Sequence, residues 1–63
     1  MPFVDITIYE GHDKARKDEI ARRVTDALSE VCKLPREAVW VVFKEVTPPD
    51  WYVGAKPGAA ASK

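Results

Sequence analysis

The stretch that decides the fold is MPFVDITIYEG, residues 1–11 of a 63-residue chain. Its side chains alternate between apolar and mixed character from Phe3 to Tyr9, which is the period of a β-strand, and Gly11 ends the pattern. We predict that the apolar face packs on a helix, and that the mixed face meets another subunit or lines a pocket. The apolar face holds Val4, Ile6 and Ile8, and the mixed face holds Phe3, Asp5, Thr7 and Tyr9.

Pro2 is a candidate catalytic base. An initiator methionine is commonly trimmed before a small second residue, and loss of Met1 would leave Pro2 with a free secondary amine. An ordinary α-amino group has a pKa of about 7.7–8.0, and apolar surroundings lower it because they disfavour the charged form. A neutral amine can accept a proton. If Met1 is retained, the Pro2 nitrogen is an amide, and Pro2 is simply the first residue of a strand.

The length of the chain predicts self-association. A domain of this size buries only about 60% of the surface that its unfolded chain exposes, so its own core is marginal. The single cysteine, Cys32, excludes an internal disulfide, and one histidine with one cysteine does not make a zinc site. Association of several copies is the remaining source of stability, and we expect a homo-oligomer.

Charge and hydropathy narrow the classes of partner. Ten basic residues balance ten acidic ones, which argues against nucleic acid and acidic membranes as partners. No apolar run approaches the ~18 residues of a membrane span, and no signal-peptide pattern opens the chain. We therefore expect a cytoplasmic protein.

The rest of the chain predicts one helix and a second strand within a single domain, residues 1–63. Asp13 is placed to cap a helix from Lys14 to about Cys32, which Leu34-Pro35 would end. Its apolar stripe holds Ile20, Val24, Ala27, Leu28 and Val31, and Cys32 at its end reads as a small packing residue.

The segment from Ala38 to Val46 is β-branched and aromatic and predicts the second strand. A strand, a crossover helix and a second strand form a βαβ unit with parallel strands. Two strands do not form a stable sheet alone, so the open face needs another copy of the chain. Thr47-Pro48-Pro49-Asp50 predicts a stiff turn that returns residues 51–53 to the fold, and we expect the tail from Gly54 onward to be partly mobile or to lie on a neighbour.

The chain resembles a known family in the order and spacing of several features. These are Met1-Pro2 before a strand, Glu10-Gly11 at its end, the helix, the second strand, and Trp51 followed by Val53-Gly54. In these features it is similar to the small single-domain members of the 4-oxalocrotonate tautomerase family. The resemblance implies an α+β chain with the β-α-β tautomerase fold, assembly as a homohexamer (a trimer of dimers), amino-terminal Pro2 as general base, and no cofactor.

Two positions depart from the family pattern. Members that act on dicarboxylates usually carry one arginine after the strand-end glycine and another near the start of the second strand, where this chain has His12 and Trp40. Neither histidine nor tryptophan binds a carboxylate as arginine does, because the guanidinium group is always charged and donates two parallel hydrogen bonds. Trp40, with Trp51 at the family's position for a pocket aromatic, predicts a more apolar substrate site, although Trp40 suits an interface core equally well.

A cation from another subunit, or His12 itself, would then bind the substrate carboxylate. The sequence offers Lys33, Arg36 and Lys44 for that role and does not distinguish among them.

The resemblance to the family favours a cofactor-independent keto–enol tautomerase of conjugated 2-hydroxy or 2-oxo acids. Pro2 would be the catalytic residue, and His12, Trp40 and Trp51 would bind the substrate. One alternative is a hydratase or dehalogenase-like relative in which a protonated Pro2 acts as an acid and Glu10 or Asp5 activates water. The other is a non-catalytic subunit of a hetero-oligomer.

Overall fold

The computed structural model describes residues 2–58. The first predicted strand and the helix are confirmed to the residue, whereas the second strand begins two residues later than predicted because a short 3-10 helix precedes it. The elements are β1 (Phe3–Tyr9), α1 (Lys14–Cys32), a 3-10 helix (Arg36–Ala38), β2 (Trp40–Val46), a second 3-10 helix (Pro48–Asp50), β3 (Tyr52–Val53) and β4 (Lys56–Pro57).

Strands β1 and β2 form a parallel pair, as predicted. The register runs from Phe3 opposite Trp40 to Tyr9 opposite Val46. Because paired residues point to the same side of a sheet, the apolar residues of β1 share a face with Val41 and Phe43, and the mixed residues share the other face with Trp40 and Val42. The β-α-β arrangement expected from the sequence is therefore present.

Local hydrogen bonds fix both ends of α1. The Asp13 carboxylate accepts from the backbone N–H of Arg16 at 2.9 Å, which confirms Asp13 as the N-cap. At the other end, Lys33 takes a left-handed conformation (φ 57°, ψ 53°), and its N–H donates to the Ser29 carbonyl. The helix thus ends just before the predicted Leu34-Pro35 stop. Its first half is tied to β2 by an ion pair between Lys17 and Glu45.

The helix covers one face of the sheet incompletely. Val39 is the one buried hydrophobic residue within residues 2–58, while Val24 and Leu28 on the helix are half-buried. Val31 is 80% exposed, and Cys32 is also exposed, so the predicted packing role of both is wrong. The 19-residue helix is about 28 Å long and the 7-residue strands about 23 Å, so the helix is longer than the strands by about one turn.

From Phe3 to Thr7, the second face of the sheet has no covering element among residues 2–58. Phe3 and Trp40 lie side by side on it and are 62% and 56% exposed, and Val42 beside them is also exposed. An ion pair between Lys44 and Asp5, with Nζ 3.0 Å from Oδ2, crosses the middle of this surface. We call it the open face. It combines aromatic, aliphatic and charged groups, as the mixed alternation of residues 3–9 predicted.

The segment after β2 folds back as a small hairpin that the sequence did not predict. Strands β3 and β4 pair antiparallel across Gly54 and Ala55, both of which have positive φ (57° and 70°). This pattern is typical of a two-residue hairpin turn. The stretch of the predicted tail up to Gly58 is therefore ordered, and residues 59–63 lie outside the described residues.

Gly58 anchors the hairpin. It is buried, and its N–H donates to the Trp51 carbonyl at 2.7 Å. A Cβ at this position would lie 2.3 Å from the Tyr9 hydroxyl oxygen. The close approach therefore requires glycine and fixes the hairpin against the end of β1.

Within residues 2–58, no helix is both long enough and apolar enough to cross a bilayer.

Replacing Gly58 should loosen the hairpin. We expect Gly58→Ala to destabilise the fold by about 1–3 kcal/mol, because the new methyl group overlaps the Tyr9 hydroxyl in a tight site. Urea denaturation followed by tryptophan fluorescence measures the change. Adding Tyr9→Phe removes the overlapping oxygen and should restore part of the lost stability. Equal stabilities for wild type and Gly58→Ala would show that the contact does not constrain the fold.

Candidate active site

The four site residues predicted from the sequence fall into two groups at opposite ends of β1. Pro2 and Trp40 lie at its start, whereas His12 and Trp51 lie beyond its finish. Pro2 and Glu10 are eight residues apart along an extended strand, a span of about 26 Å. The structure thus brings Pro2 together with Trp40 but not with His12 or Trp51 of the same chain.

The Pro2 end has an apolar, aromatic environment. Pro2 is half-buried, and its carbonyl accepts a hydrogen bond from the Trp40 backbone N–H at 3.1 Å. This bond extends the β1–β2 ladder by one residue and fixes Pro2 in line with the strand. Phe3 follows on the open face opposite Trp40. Phe3 and Trp40 are therefore the aromatic residues nearest to Pro2 along the β1–β2 pair.

The far end is built around Trp51. Its ring meets that of Tyr9 edge to face, with centroids 4.7 Å apart and planes at 63°. Tyr9 also lies against Gly58, so three separate segments meet at this point. Sequence reasoning named Trp51 but missed Tyr9. The alternation of β1 placed Tyr9 on the mixed face, but only the returning hairpin shows which residue it contacts.

His12 contributes to a groove along α1. This open depression of about 330 Å³ is lined by His12, Arg16, Glu19, Ile20 and Arg23, and we call it the helix groove. The Arg16 Nη1 atom lies 3.4 Å from His12 Nδ1. Arg16 was not singled out from the sequence; it follows His12 by four residues across the start of α1, because His12 precedes the Asp13 N-cap.

The other two charges of the groove, Glu19 and Arg23, are paired with each other, and Arg22 joins them from outside the groove. Arg22 and Arg23 both donate to the Glu19 carboxylate, with Arg23 Nε 2.7 Å from Oε2. The hydrogen bond from Arg22, followed by that from Arg23, lowers the pKa of Glu19 from 4.5 to about 2. Glu19 and Arg23 therefore form an ion pair, and Arg22 shares the same carboxylate.

Two of the three cations proposed as replacements for an arginine form ion pairs within the chain. Arg36 forms an ion pair with Asp26, and Lys44 forms one with Asp5 on the open face. Lys33 serves as the C-cap of α1. None of the three lies in the helix groove.

Comparison with known proteins identifies the family. The family described as "Tautomerase enzyme" matches residues 2–60, nearly the whole chain, beginning at Pro2. The chain belongs to the tautomerase family. It is similar to a probable tautomerase of Streptococcus thermophilus (strain CNRZ 1066), with 40% identity over 52 residues, which cover 82% of this chain and 85% of that protein.

Solved structures of tautomerases share the fold. The chain is similar to one of the 4-oxalocrotonate tautomerase isozymes of Methylibium petroleiphilum, with a TM-score of 0.89, 29% identity, and coverage of 98% of this chain and 100% of that one. It is also similar to a chain of the heterohexamer 4-oxalocrotonate tautomerase of Chloroflexus aurantiacus J-10-fl, with a TM-score of 0.85, 30% identity and full coverage of both chains. The family and fold expected from the sequence are confirmed.

The depressed pKa of Glu19 predicts an acid-sensitive contribution to stability. The unfolded carboxyl titrates near its ordinary value, so the stabilisation is complete above about pH 4.5 and is lost as the pH falls toward 2. We expect the melting-temperature difference between wild type and Glu19→Gln to be small at pH 7, because the pairs are exposed, and to shrink steadily below pH 4.5. Thermal melts at several pH values measure it.

Glu30→Gln is the matched control, because Glu30 lies on the same helix and forms no ion pair within residues 2–58. If the Glu19→Gln difference stayed constant from pH 7 to pH 2, the arginine contacts would not stabilise the fold.

Proposed function

We propose that this chain is a cofactor-independent keto–enol tautomerase that acts on conjugated 2-hydroxy and 2-oxo acids, with Pro2 as its general base after removal of Met1. Membership of the tautomerase family supports the reaction class. The observation that carries the assignment to Pro2 is its position: it is half-buried at the head of β1, beside the exposed rings of Phe3 and Trp40. Apolar neighbours favour the neutral amine, which is the form that accepts a proton.

The reaction needs no co-reactant. The neutral Pro2 nitrogen takes the proton of the enol O–H, and the O–H electron pair forms the new C=O bond. The double bonds shift along the conjugated chain, and the protonated amine returns the proton to the carbon at its far end. The net change is an isomerisation with no oxidation or reduction. Groups that stabilise the developing negative charge on oxygen would lower the barrier.

The active site would combine residues of different copies of the chain. Pro2 and Glu10, at the two ends of β1, are about 26 Å apart along the strand, a distance that no small conjugated acid spans. The unpaired edges of β1 and β2 and the open face provide surfaces through which copies could associate. A homohexamer is the assembly we propose.

A non-catalytic role within a mixed assembly is the second candidate. The similar tautomerase of Chloroflexus aurantiacus is a heterohexamer, so the fold is compatible with unlike subunits. The departures at His12 and Trp40 would suit a chain whose partner supplies the carboxylate-binding arginines. A hydratase-like role is less favoured, because Asp5 is held by Lys44 on the open face.

Removing the proline should abolish most of the activity. We expect Pro2→Ala to lower kcat/KM on phenylenolpyruvate or 2-hydroxymuconate by about 10²–10⁴-fold, the usual contribution of a general base. Initial rates measured by ultraviolet absorbance test this, and intact mass should show that Met1 is absent from the active protein. Pro35→Ala, an exposed proline between α1 and β2, is the control that should keep the wild-type rate.

Two results would contradict the role of Pro2. One is an equal rate for Pro2→Ala and wild type. The other is full activity in protein that retains Met1, since its proline nitrogen is an amide. An inactive wild-type chain that gains activity only when mixed with a second, unlike tautomerase subunit would favour the non-catalytic alternative.

A charge on the open face should break the assembly. We expect Val42→Lys to reduce the solution mass toward that of a single chain, because Val42 lies at the centre of the open face, where association would bury the new charge. Size-exclusion chromatography with light scattering gives the mass. Val31→Lys is the matched control, since Val31 is exposed on the last turn of α1. A wild-type protein that is monomeric at micromolar concentration would refute the proposal.

A further inference from the structure

The helix groove has an apolar floor and more basic than acidic side chains. Ile20 lines it together with one histidine, two arginines and one carboxylate. Its residues on α1, from Arg16 to Arg23, span about two turns, so it is a feature of the helix surface. The free amides at the start of the helix are not its basis, because the Asp13 carboxylate already accepts from the N–H of Arg16.

Arg16 differs from the other arginines of the chain. Arg22, Arg23 and Arg36 each form an ion pair with a carboxylate. Within residues 2–58, Arg16 has no carboxylate within ion-pair distance, and its side-chain contact is with His12 at 3.4 Å. A guanidinium presents a planar fork of donors that matches a carboxylate, and this one is free to bind a carboxylate from outside the chain.

His12 complements Arg16 in the groove. When the imidazole is neutral, its Nδ1 accepts from Arg16, which places the ring proton on Nε2. The pair then offers the remaining guanidinium N–H groups and the imidazole Nε2–H as donors in one depression. Since Arg23 is compensated by Glu19, these donors form the uncompensated positive part of the groove.

We propose that Arg16, held beside His12, binds the carboxylate of the substrate and so sets the specificity of the site. This inference rests on the proposed tautomerase function. The substrate class it names is a 2-hydroxy or 2-oxo acid with one carboxylate and an apolar remainder, since Trp40 and Phe3 beside Pro2 carry no charge for a second carboxylate. Because Pro2 lies at the other end of β1, Arg16 serves the Pro2 of a second copy.

The first test separates binding from catalysis. Arg16→Gln should raise KM for phenylenolpyruvate about tenfold or more, the usual effect of losing a charge-assisted hydrogen bond, and should change kcat little. The dissociation constant of 3-phenylpropanoate, a carboxylate that cannot tautomerise, should rise by a similar factor when followed by tryptophan fluorescence. The methyl ester of the same acid should bind wild type and variant equally. Arg16→Lys should recover part of the affinity.

Arg22→Gln is the matched control. Arg22 lies on the same helix but outside the groove, and its charge is paired with Glu19 and Asp26. It should leave both KM and probe binding unchanged. An Arg16→Gln protein that binds 3-phenylpropanoate as tightly as wild type overturns the inference. So does one that falls apart into single chains on a sizing column, because Arg16 would then be an interface residue.

The outcomes distinguish this inference from the proposed function. If the wild type shows no tautomerase activity but Arg16→Gln still weakens the probe, the carboxylate site stands and the tautomerase assignment falls. If the wild type is active through Pro2 and Arg16→Gln has the wild-type KM, the assignment stands and the role of Arg16 falls.

A mixing experiment tests the contribution of a second copy. Pro2→Ala and Arg16→Gln chains are unfolded together, refolded as mixed assemblies and assayed at low substrate concentration. Sites that join an intact Pro2 from one chain to an intact Arg16 from another should raise the rate of the mixture above that of Arg16→Gln alone at the same concentration of intact Pro2. No gain on mixing, in assemblies that mass spectrometry shows to be mixed, would exclude action between copies.

Discussion

One helix can cover only one face of a two-stranded sheet, and the rest of this structure depends on that constraint. With α1 on one side, Val39 is the single buried hydrophobic residue within residues 2–58, and the aromatic pair Phe3 and Trp40 faces outward. A chain with so little enclosed apolar surface has a small hydrophobic contribution to its stability. Its sheet edges and open face are therefore the parts of the molecule where further stabilisation is available.

The same constraint divides the candidate site. A strand of seven residues is too long for its two ends to act on one small molecule, and this chain has catalytic candidates at both ends. The Pro2 end has aromatic side chains, and the hydrogen bond between the Pro2 carbonyl and the Trp40 N–H fixes the position of Pro2 beside β2. The other end has Trp51, held by Tyr9, and the His12–Arg16 pair. Neither end has all the groups that the proposed proton transfer requires.

Patterns that are local in sequence predicted local structure well. The alternation of residues 3–9 fixed β1, and Asp13 fixed the start of α1, because strand period and N-capping depend on neighbouring residues alone. The hairpin of β3 and β4 was missed because its anchor, Gly58, is set by contact with Tyr9, which is distant in sequence. Arg16 was overlooked for another reason: in a helix rich in cations, only the structure shows which arginine has no carboxylate partner.

The Asp5–Lys44 pair at the centre of the open face has a consequence for how copies can meet. Asp5 and Lys44 neutralise each other within one chain, so a single copy has no unpaired charge from these two residues on its largely apolar open face. If the open faces of two copies came together, each Asp5 carboxylate could pair with the Lys44 ammonium of the other copy in place of its own. Neither ion would then lose its counter-charge. If copies associate through the open face, only alignments that keep opposite charges adjacent would avoid a large desolvation cost, so this pair would disfavour shifted or mismatched associations.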